Sequence, residues 1–347
     1  MDIVSFSDSK TPVKKNLRKI MIISRTPFRI SFFGGGTDYP AWYLKHGGAV
    51  LSTTFDKYCY ITCRELPPFF GHKYRIAYSL VENAKEVCDI KHPAVRAVIQ
   101  EMKLAQGLEI HVDADLPARS GLGSSSAFTV GLLNSLYALQ GQRVSRDFLA
   151  HEAVRIEQEV ICESVGSQDQ IAAAYGGLNV IHFRQDGGFK VEQVILPADR
   201  KQVLNDHLML FFTGFSRIAS EIAKDKISNL GKKVKEFQQI QRLVGEALDI
   251  LSRGKDIRLF GELLHTVWTC KQSLSEKVSN VQINAIYETA RKAGAIGGKL
   301  LGAGGGGFML LFVEPAKQPQ VREALKGFIH VPFQFETTGS QVIYYEP

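Results

Sequence analysis

Three glycine-rich segments interrupt this chain: Gly34–Gly36 within RTPFRISFFGGGTDYP (25–40), Gly121–Gly123 within PARSGLGSSSA (117–127), and Gly302–Gly307 within GKLLGAGGGGFMLLFV (298–313). Glycine lets a backbone come close to a ligand and adopt left-handed turns. The middle segment falls between a strand pattern, Leu108–Val112, and an apolar helix running to about Gln140. A helix start beside a glycine turn points free N–H groups outward and attracts anions. Gly121, Leu122, Gly123, Ser124, Ser125 and Ser126 therefore read as a phosphate loop, with serine hydroxyls available to phosphate or Mg²⁺. A plain Gly/Ser connector is the blander alternative.

The middle loop is not of the Walker type, because no G-x-x-x-x-G-K-[ST] occurs in the chain. In the last segment Gly302, Gly304 and Gly307 do satisfy G-x-G-x-x-G. A strand pattern, Phe308–Val313, follows where a dinucleotide fold needs a helix, so this glycine loop is expected to close over a ligand bound elsewhere or to be a flexible hairpin. In the first segment Gly34, Gly35 and Gly36 precede Thr37 and Asp38. A carboxylate beside a glycine turn is either a turn cap or a ligand for sugar hydroxyls.

Acidic residues supply the remaining chemistry. Asp169 lies in SVGSQDQIAAAYGG, twelve residues after Glu157 on a predicted helix that Ser145 caps. Helical periodicity puts Glu157 at one edge of the buried stripe and Glu152 at the other, and does not choose between them.

At 347 residues, with 45% hydrophobic and 22% charged residues, the chain is long enough for two domains and has an ordinary globular composition. Its longest apolar run, Phe308–Val313, is far short of the ~18 residues of a membrane span, and a cytoplasmic location is expected. The net charge of +7 lacks a dense basic block interleaved with aromatics, so neither nucleic acid nor membrane is an expected partner. The five cysteines include no C-x-x-C, and Cys59 and Cys63 on one strand are too far apart to share an ion. A strand-rich first half followed by helices and then strands predicts two α+β domains, 21–205 and 206–347, behind an extension, 1–20, expected to be disordered.

Taken together, the segments resemble the GHMP kinases, which include galactokinase, homoserine kinase, mevalonate kinase and phosphomevalonate kinase. The resemblance runs from about Met21 to the end. Pro117–Ser125 carry the middle motif P-x-x-x-G-L-G-S-S, and Lys299–Gly307 carry the last, K-x-x-G-A-G-x-G-G. It implies an α+β fold of two domains, the N-terminal one ribosomal-protein-like and the C-terminal one ferredoxin-like. It implies an ATP-dependent sugar kinase whose nucleotide sits on Gly121–Ser126, with Gly302, Gly304 and Gly305 closing nearby. Mg²⁺ would be held by Ser125, with Ser124 as the alternative, and by Glu157, the glutamate that alignment on the galactokinase M-D-Q selects. Asp169 takes the place of the catalytic aspartate and Arg29 that of the first-motif arginine. Asp38 matches the sugar-binding aspartate.

One departure bears on the substrate. Galactokinases read G-E-H-T-D-Y where this chain reads Gly34-Gly35-Gly36-Thr37-Asp38-Tyr39. The triple-glycine form is similar to the anomeric kinases of D-glycero-D-manno-heptose 7-phosphate, so a sugar phosphate and ATP are the expected partners, and surface polysaccharide biosynthesis the expected setting. Arg217, in the TGFSR turn, is the candidate for the substrate's phosphate. A fucokinase- or galactokinase-type enzyme and a catalytically silent sugar-responsive regulator are the competing readings.

Overall fold

The computed structural model describes residues 20–214, 225, 227, 228 and 230–346. The extension expected over 1–20 lies outside the described residues except for Ile20. A nine-stranded sheet organises the first part of the chain. Its antiparallel centre is β1 (Met21–Phe33) against β2 (Gly48–Glu65). The sequence pattern divides β1 into Ile20–Ser24 and Arg29–Phe33 because Pro27 lacks an N–H for the ladder. The structure instead keeps one strand and absorbs the proline as a bulge, with the register shifting between Pro27 and Phe28.

β3 (Tyr74–Ala77), β4 (Val81–Ala84) and β5 (Leu108–Ala114) extend the sheet beyond the end of β2. β5 pairs with Cys59–Glu65, β3 runs parallel to β5, and β4 forms the edge. β6 (Asn179–Phe183) pairs with Gly48–Ser52 of β2, and β7 (Phe189–Gln193) with β6.

Helix Ser124–Leu139 packs on β1 and β2. Contact is close because Gly131 has no side chain: a Cβ there would lie 2.8 Å from Thr26 Oγ1. Ser24 donates to the Gly131 carbonyl at 3.1 Å and accepts from Ser135 at 2.8 Å, fixing the helix lengthwise on the strand. That fixes where the helix begins, at Ser124, relative to Arg29 on β1.

β8 (Leu208–Phe212), β9 (Ala295–Leu300), β10 (Phe308–Val313) and β11 (Ile329–His330) form a second, antiparallel sheet in the order β11-β8-β10-β9. With helices between β8 and β9, and Gln318–Ala324 between β10 and β11, this is the ferredoxin-like arrangement. β9 has no apolar signature in AIGGKL. Its glycines admit the neighbouring helix Arg258–Gln272, since a Cβ on Gly297 would meet the Gly261 carbonyl at 1.9 Å.

The two sheets give the chain two α+β parts, but a cut at 205 divides the sequence more cleanly than the space. β12 (Phe335–Glu336) and β13 (Gln341–Glu346) return to the first sheet, where they pair with β2 and β1. Phe260 packs edge-on against both Phe32 and Phe33, with ring centres 5.4 and 5.1 Å apart, so one apolar core runs through both parts. Two short helices carry no clear sequence signal, Pro40–His46 and Ala198–Asp206. Among the described residues no helix is long and apolar enough to cross a membrane.

Candidate active site

Arg29 and Asp169 lie at the centre of the site. The guanidinium grips the carboxylate with two bonds, Nε to Oδ1 at 2.7 Å and Nη2 to Oδ2 at 2.8 Å, while Nη1 donates to the Gly121 carbonyl at 2.8 Å. Arg29 is buried, whereas Asp169 keeps a quarter of its side-chain surface exposed (25%). A bidentate arginine fixes a carboxylate in orientation as well as in charge. The Arg29 amide also donates to the Leu122 carbonyl at 3.1 Å, so strand β1 holds the glycine loop directly.

The loop itself needs its glycines. Gly121 and Gly123 have φ of +83° and +74°, which side-chain-bearing residues rarely adopt. A Cβ on Gly123 would lie 3.4 Å from Asp169 Oδ2, so the loop passes directly over the carboxylate. No side chain caps the helix that starts at Ser124. Its first N–H groups are thereby left to a ligand.

The last glycine segment meets this loop edge to edge. A Cβ on Gly302 would stand 2.4 Å from the Gly121 Cα, and one on Gly307 would stand 2.1 Å from the Ser120 carbonyl oxygen. Gly304 and Gly305 also take positive φ, and the Gly305 amide donates to the Val278 carbonyl at 2.9 Å. Two buried lysines brace the segment. Lys271 donates to the carbonyls of Leu300 and Gly302 at 2.7 and 2.6 Å, and Lys299 to those of Ser31 and Phe32 at 2.9 and 2.7 Å. Lys299 falls in the last motif, but nothing in the sequence around Lys271 signals its role.

Glu157 and Glu152 part company in the structure. Glu152 pairs with Arg155 on the surface, Oε1 to Nη2 at 2.8 Å. Glu157 is fully buried because the helix, expected to continue regularly to Val160, widens at Arg155 into a π-turn, Ile156–Val160. Such insertions redirect side chains at functional positions. Glu157 Oε2 accepts from the Ser126 hydroxyl at 2.9 Å and from Gln170 Nε2 at 2.6 Å, while Oε1 makes no hydrogen bond. Burial pushes its carboxyl up to about 7, against the opposing influence of the Thr129 and Ser126 hydroxyls and the Gln170 amide.

This arrangement corrects one expectation. The serine hydroxyl that touches Glu157 belongs to Ser126, which is buried. Ser126 was expected to offer its hydroxyl to phosphate, but that hydroxyl faces inward. The Ser124 hydroxyl accepts from the Arg119 amide at 3.2 Å, and Ser125 is exposed at the loop surface. A buried carboxylate with one unspent oxygen and an exposed serine on the glycine loop are hard oxygen donors of the kind Mg²⁺ takes.

The first glycine segment forms the other wall. The Thr37 hydroxyl is engaged within the turn, 2.8 and 3.0 Å from the Gly34 and Ala49 carbonyl oxygens, and it accepts from the Ala49 amide at 3.2 Å. Asp38 is buried: Oδ1 accepts from the Gly36 amide at 2.7 Å and Oδ2 from Gln168 Nε2 at 2.9 Å. Burial, together with the nearby Asp169 charge, raises its carboxyl above the usual range. Gly166 is required here because a Cβ would lie 1.8 Å from Asp38 Oδ2. Asp38 thus reaches the site mainly through Gln168, a residue the sequence reading did not assign a role. Arg217 lies outside the described residues.

The family profile for the GHMP kinases N terminal domain matches residues 89–177, and that for the GHMP kinases C terminal matches residues 246–330. The chain is 29% identical, over 92% of its length and 97% of the relative, to a D-glycero-alpha-D-manno-heptose 7-phosphate kinase of Campylobacter jejuni. It is 25% identical, over 86% of its length and 30% of the relative, to a bifunctional fucokinase/GDP-fucose pyrophosphorylase of Arabidopsis thaliana. The crystal structure of a D-glycero-D-manno-heptose 1-phosphate kinase from Bacteroides thetaiotaomicron superposes with a TM-score of 0.76 at 24% identity, covering 93% of this chain and 99% of that one.

Proposed function

The chain belongs to the GHMP kinase family, and from that premise we propose that it transfers the γ-phosphoryl group of ATP to the anomeric hydroxyl of D-glycero-D-manno-heptose 7-phosphate, giving the 1,7-bisphosphate. The observation that carries the catalytic reading is the Arg29–Asp169 pair set beneath Gly123, at the open end of an uncapped helix. The identity to the Campylobacter jejuni enzyme over nearly the whole of both chains supports the choice of sugar.

Phosphoryl transfer demands positioning and charge stabilisation more than covalent help. The amides of Gly121–Ser126 take the phosphates, and Gly302–Gly307 restrict their exit. Asp169 accepts or polarises the anomeric hydroxyl proton, a modest task because that hydroxyl is more acidic than an ordinary alcohol. Arg29 spends three of its donor groups on Asp169 and Gly121, so it holds the base and the loop in one frame. Glu157 and Ser125 would hold Mg²⁺, which when bound would neutralise phosphate charge.

An ADP-release assay across free and phosphorylated sugars tests the reading. The kcat/KM for D-glycero-D-manno-heptose 7-phosphate should exceed that for L-fucose or galactose at least ~10-fold, the size of one good charged contact. Equal turnover of L-fucose would assign the chain to the fucokinase type instead.

A further inference from the structure

Among the described residues, three other than glycine take a left-handed backbone: Lys103, Arg119 and Cys162, with φ of +51°, +58° and +60°. Two of them are explained by where helices stop. Lys103 stands one residue past the C-cap of helix Pro93–Glu101, and Cys162 one past that of the π-turn Ile156–Val160. A left-handed residue there is an ordinary way to end a helix. Arg119 ends no helix. It lies between β5 and the helix that starts at Ser124, two residues before Gly121. The neighbouring left-handed positions, Gly121 and Gly123, are glycine, which adopts such φ freely. A residue with a side chain loses stability at this φ, so folding does not account for an arginine at 119.

The position suits an anion. Arg119 is exposed, and among the described residues its guanidinium makes no hydrogen bond or ion pair. Its amide donates to the Ser124 hydroxyl at 3.2 Å, tying it to the uncapped end of the helix. Its charge also acts on Glu163, a half-buried carboxyl that burial raises above the usual range and that Arg119 draws back down. The Glu163 amide donates to the Glu157 carbonyl at 2.8 Å. Arg119 therefore stands on the side of the phosphate loop that faces the Glu157 segment. The other cations described above are committed, Arg29 to Asp169 and Gly121, Lys271 and Lys299 to backbone carbonyls. A phosphoryl group in transfer nevertheless needs positive charge beside it.

We propose that Arg119 is a further catalytic residue, a cation that reaches from the phosphate loop onto the phosphoryl group in transfer. The assignment rests on the kinase reading above but not on which sugar accepts the group. The bond from the γ-phosphorus to the bridging oxygen of ADP breaks as the bond to the sugar oxygen forms, and the hydroxyl proton passes to Asp169. Negative charge spreads over the phosphoryl oxygens during that exchange, and the Arg119 N–H groups donate to them. The strained backbone at 119 is then the cost of having a charged side chain where glycine would fold more easily.

The test compares Arg119→Gly, Arg119→Asn and Arg119→Lys with wild type, using ATP and whichever sugar the wild-type protein phosphorylates best. Gly and Asn both accept a left-handed φ, so these two variants should melt at or above the wild-type Tm. Their kcat under saturation should nonetheless fall ~10²-fold, the size of one lost transition-state donor. Arg119→Lys keeps the charge and should recover about tenfold over Arg119→Gly. A kcat within about threefold of wild type in Arg119→Gly would overturn the assignment. So would a rise in either KM at unchanged kcat, which marks a ground-state contact, an Arg119→Lys no better than Arg119→Gly, or a fallen Tm in both neutral variants. A wild-type protein that phosphorylates no sugar brings down the kinase reading and this assignment with it. An active wild type beside an equally active Arg119→Gly brings down the assignment alone.

Discussion

Arg29 on the first strand and Asp169 at the start of a helix 140 residues later are joined by two parallel hydrogen bonds of 2.7 and 2.8 Å, and the same guanidinium holds the Gly121 carbonyl. Base and phosphate loop are thus registered on one side chain. Asp169→Asn keeps the size of the side chain and removes the base, so kcat should fall ~10²–10⁴-fold with nucleotide binding retained. A variant holding more than about a tenth of wild-type kcat under saturation would rule out that role.

Arg29→Lys tests the fork itself. A lysine restores the charge but not two parallel bonds plus a third to Gly121. Single-turnover rates should drop at least ~10-fold and KM for ATP should rise, because the loop loses its anchor. If only KM for the sugar changes, Arg29 is not holding the loop.

Glu157 makes a signed pH prediction. Its carboxyl sits at about 7 in the fold against 4.5 as a free group, so the folded state holds the extra proton between those values. Stability from this group is fully present below about pH 4.5 and is lost as pH rises toward 7, by roughly 3 kcal/mol at most. In the absence of Mg²⁺, the Tm of Glu157→Gln should gain on wild type between pH 5 and pH 8. The same variant should need far more Mg²⁺ for half activity than Glu152→Gln. A pH-independent Tm difference would mean that Glu157 is not titrating there.

Lys271 supports the last loop from beneath, through the carbonyls of Leu300 and Gly302. Lys271→Met keeps the apolar stem but leaves both carbonyls short of a donor, at a cost of ~1–3 kcal/mol. KM for ATP should rise more than KM for the sugar. A parallel rise in both would point to general loosening instead.

The parts of the site carried by glycine spacing were legible in the sequence, since turns of positive φ tolerate few other residues. Gly121, Gly123, Gly302 and Gly304 are of this kind. The acidic residues were half legible: periodicity left Glu152 and Glu157 tied, and the family resemblance separated them. The π-turn that buries Glu157 shows why, because a regular wheel has no place for it. Gln168 and Lys271 left no signal, since each acts through a contact with a residue distant in sequence. In the fold, β9 was hidden by its own glycines, and the return of β12 and β13 to the first sheet has no local signature at all.

The most direct test of the central claim is the identity of the product. Incubated with ATP and D-glycero-D-manno-heptose 7-phosphate, the protein should yield a compound whose ³¹P NMR spectrum shows a second phosphate coupled to the anomeric proton, formed in step with ADP. ADP release without that anomeric phosphate, or transfer only to an unphosphorylated sugar, would contradict the account.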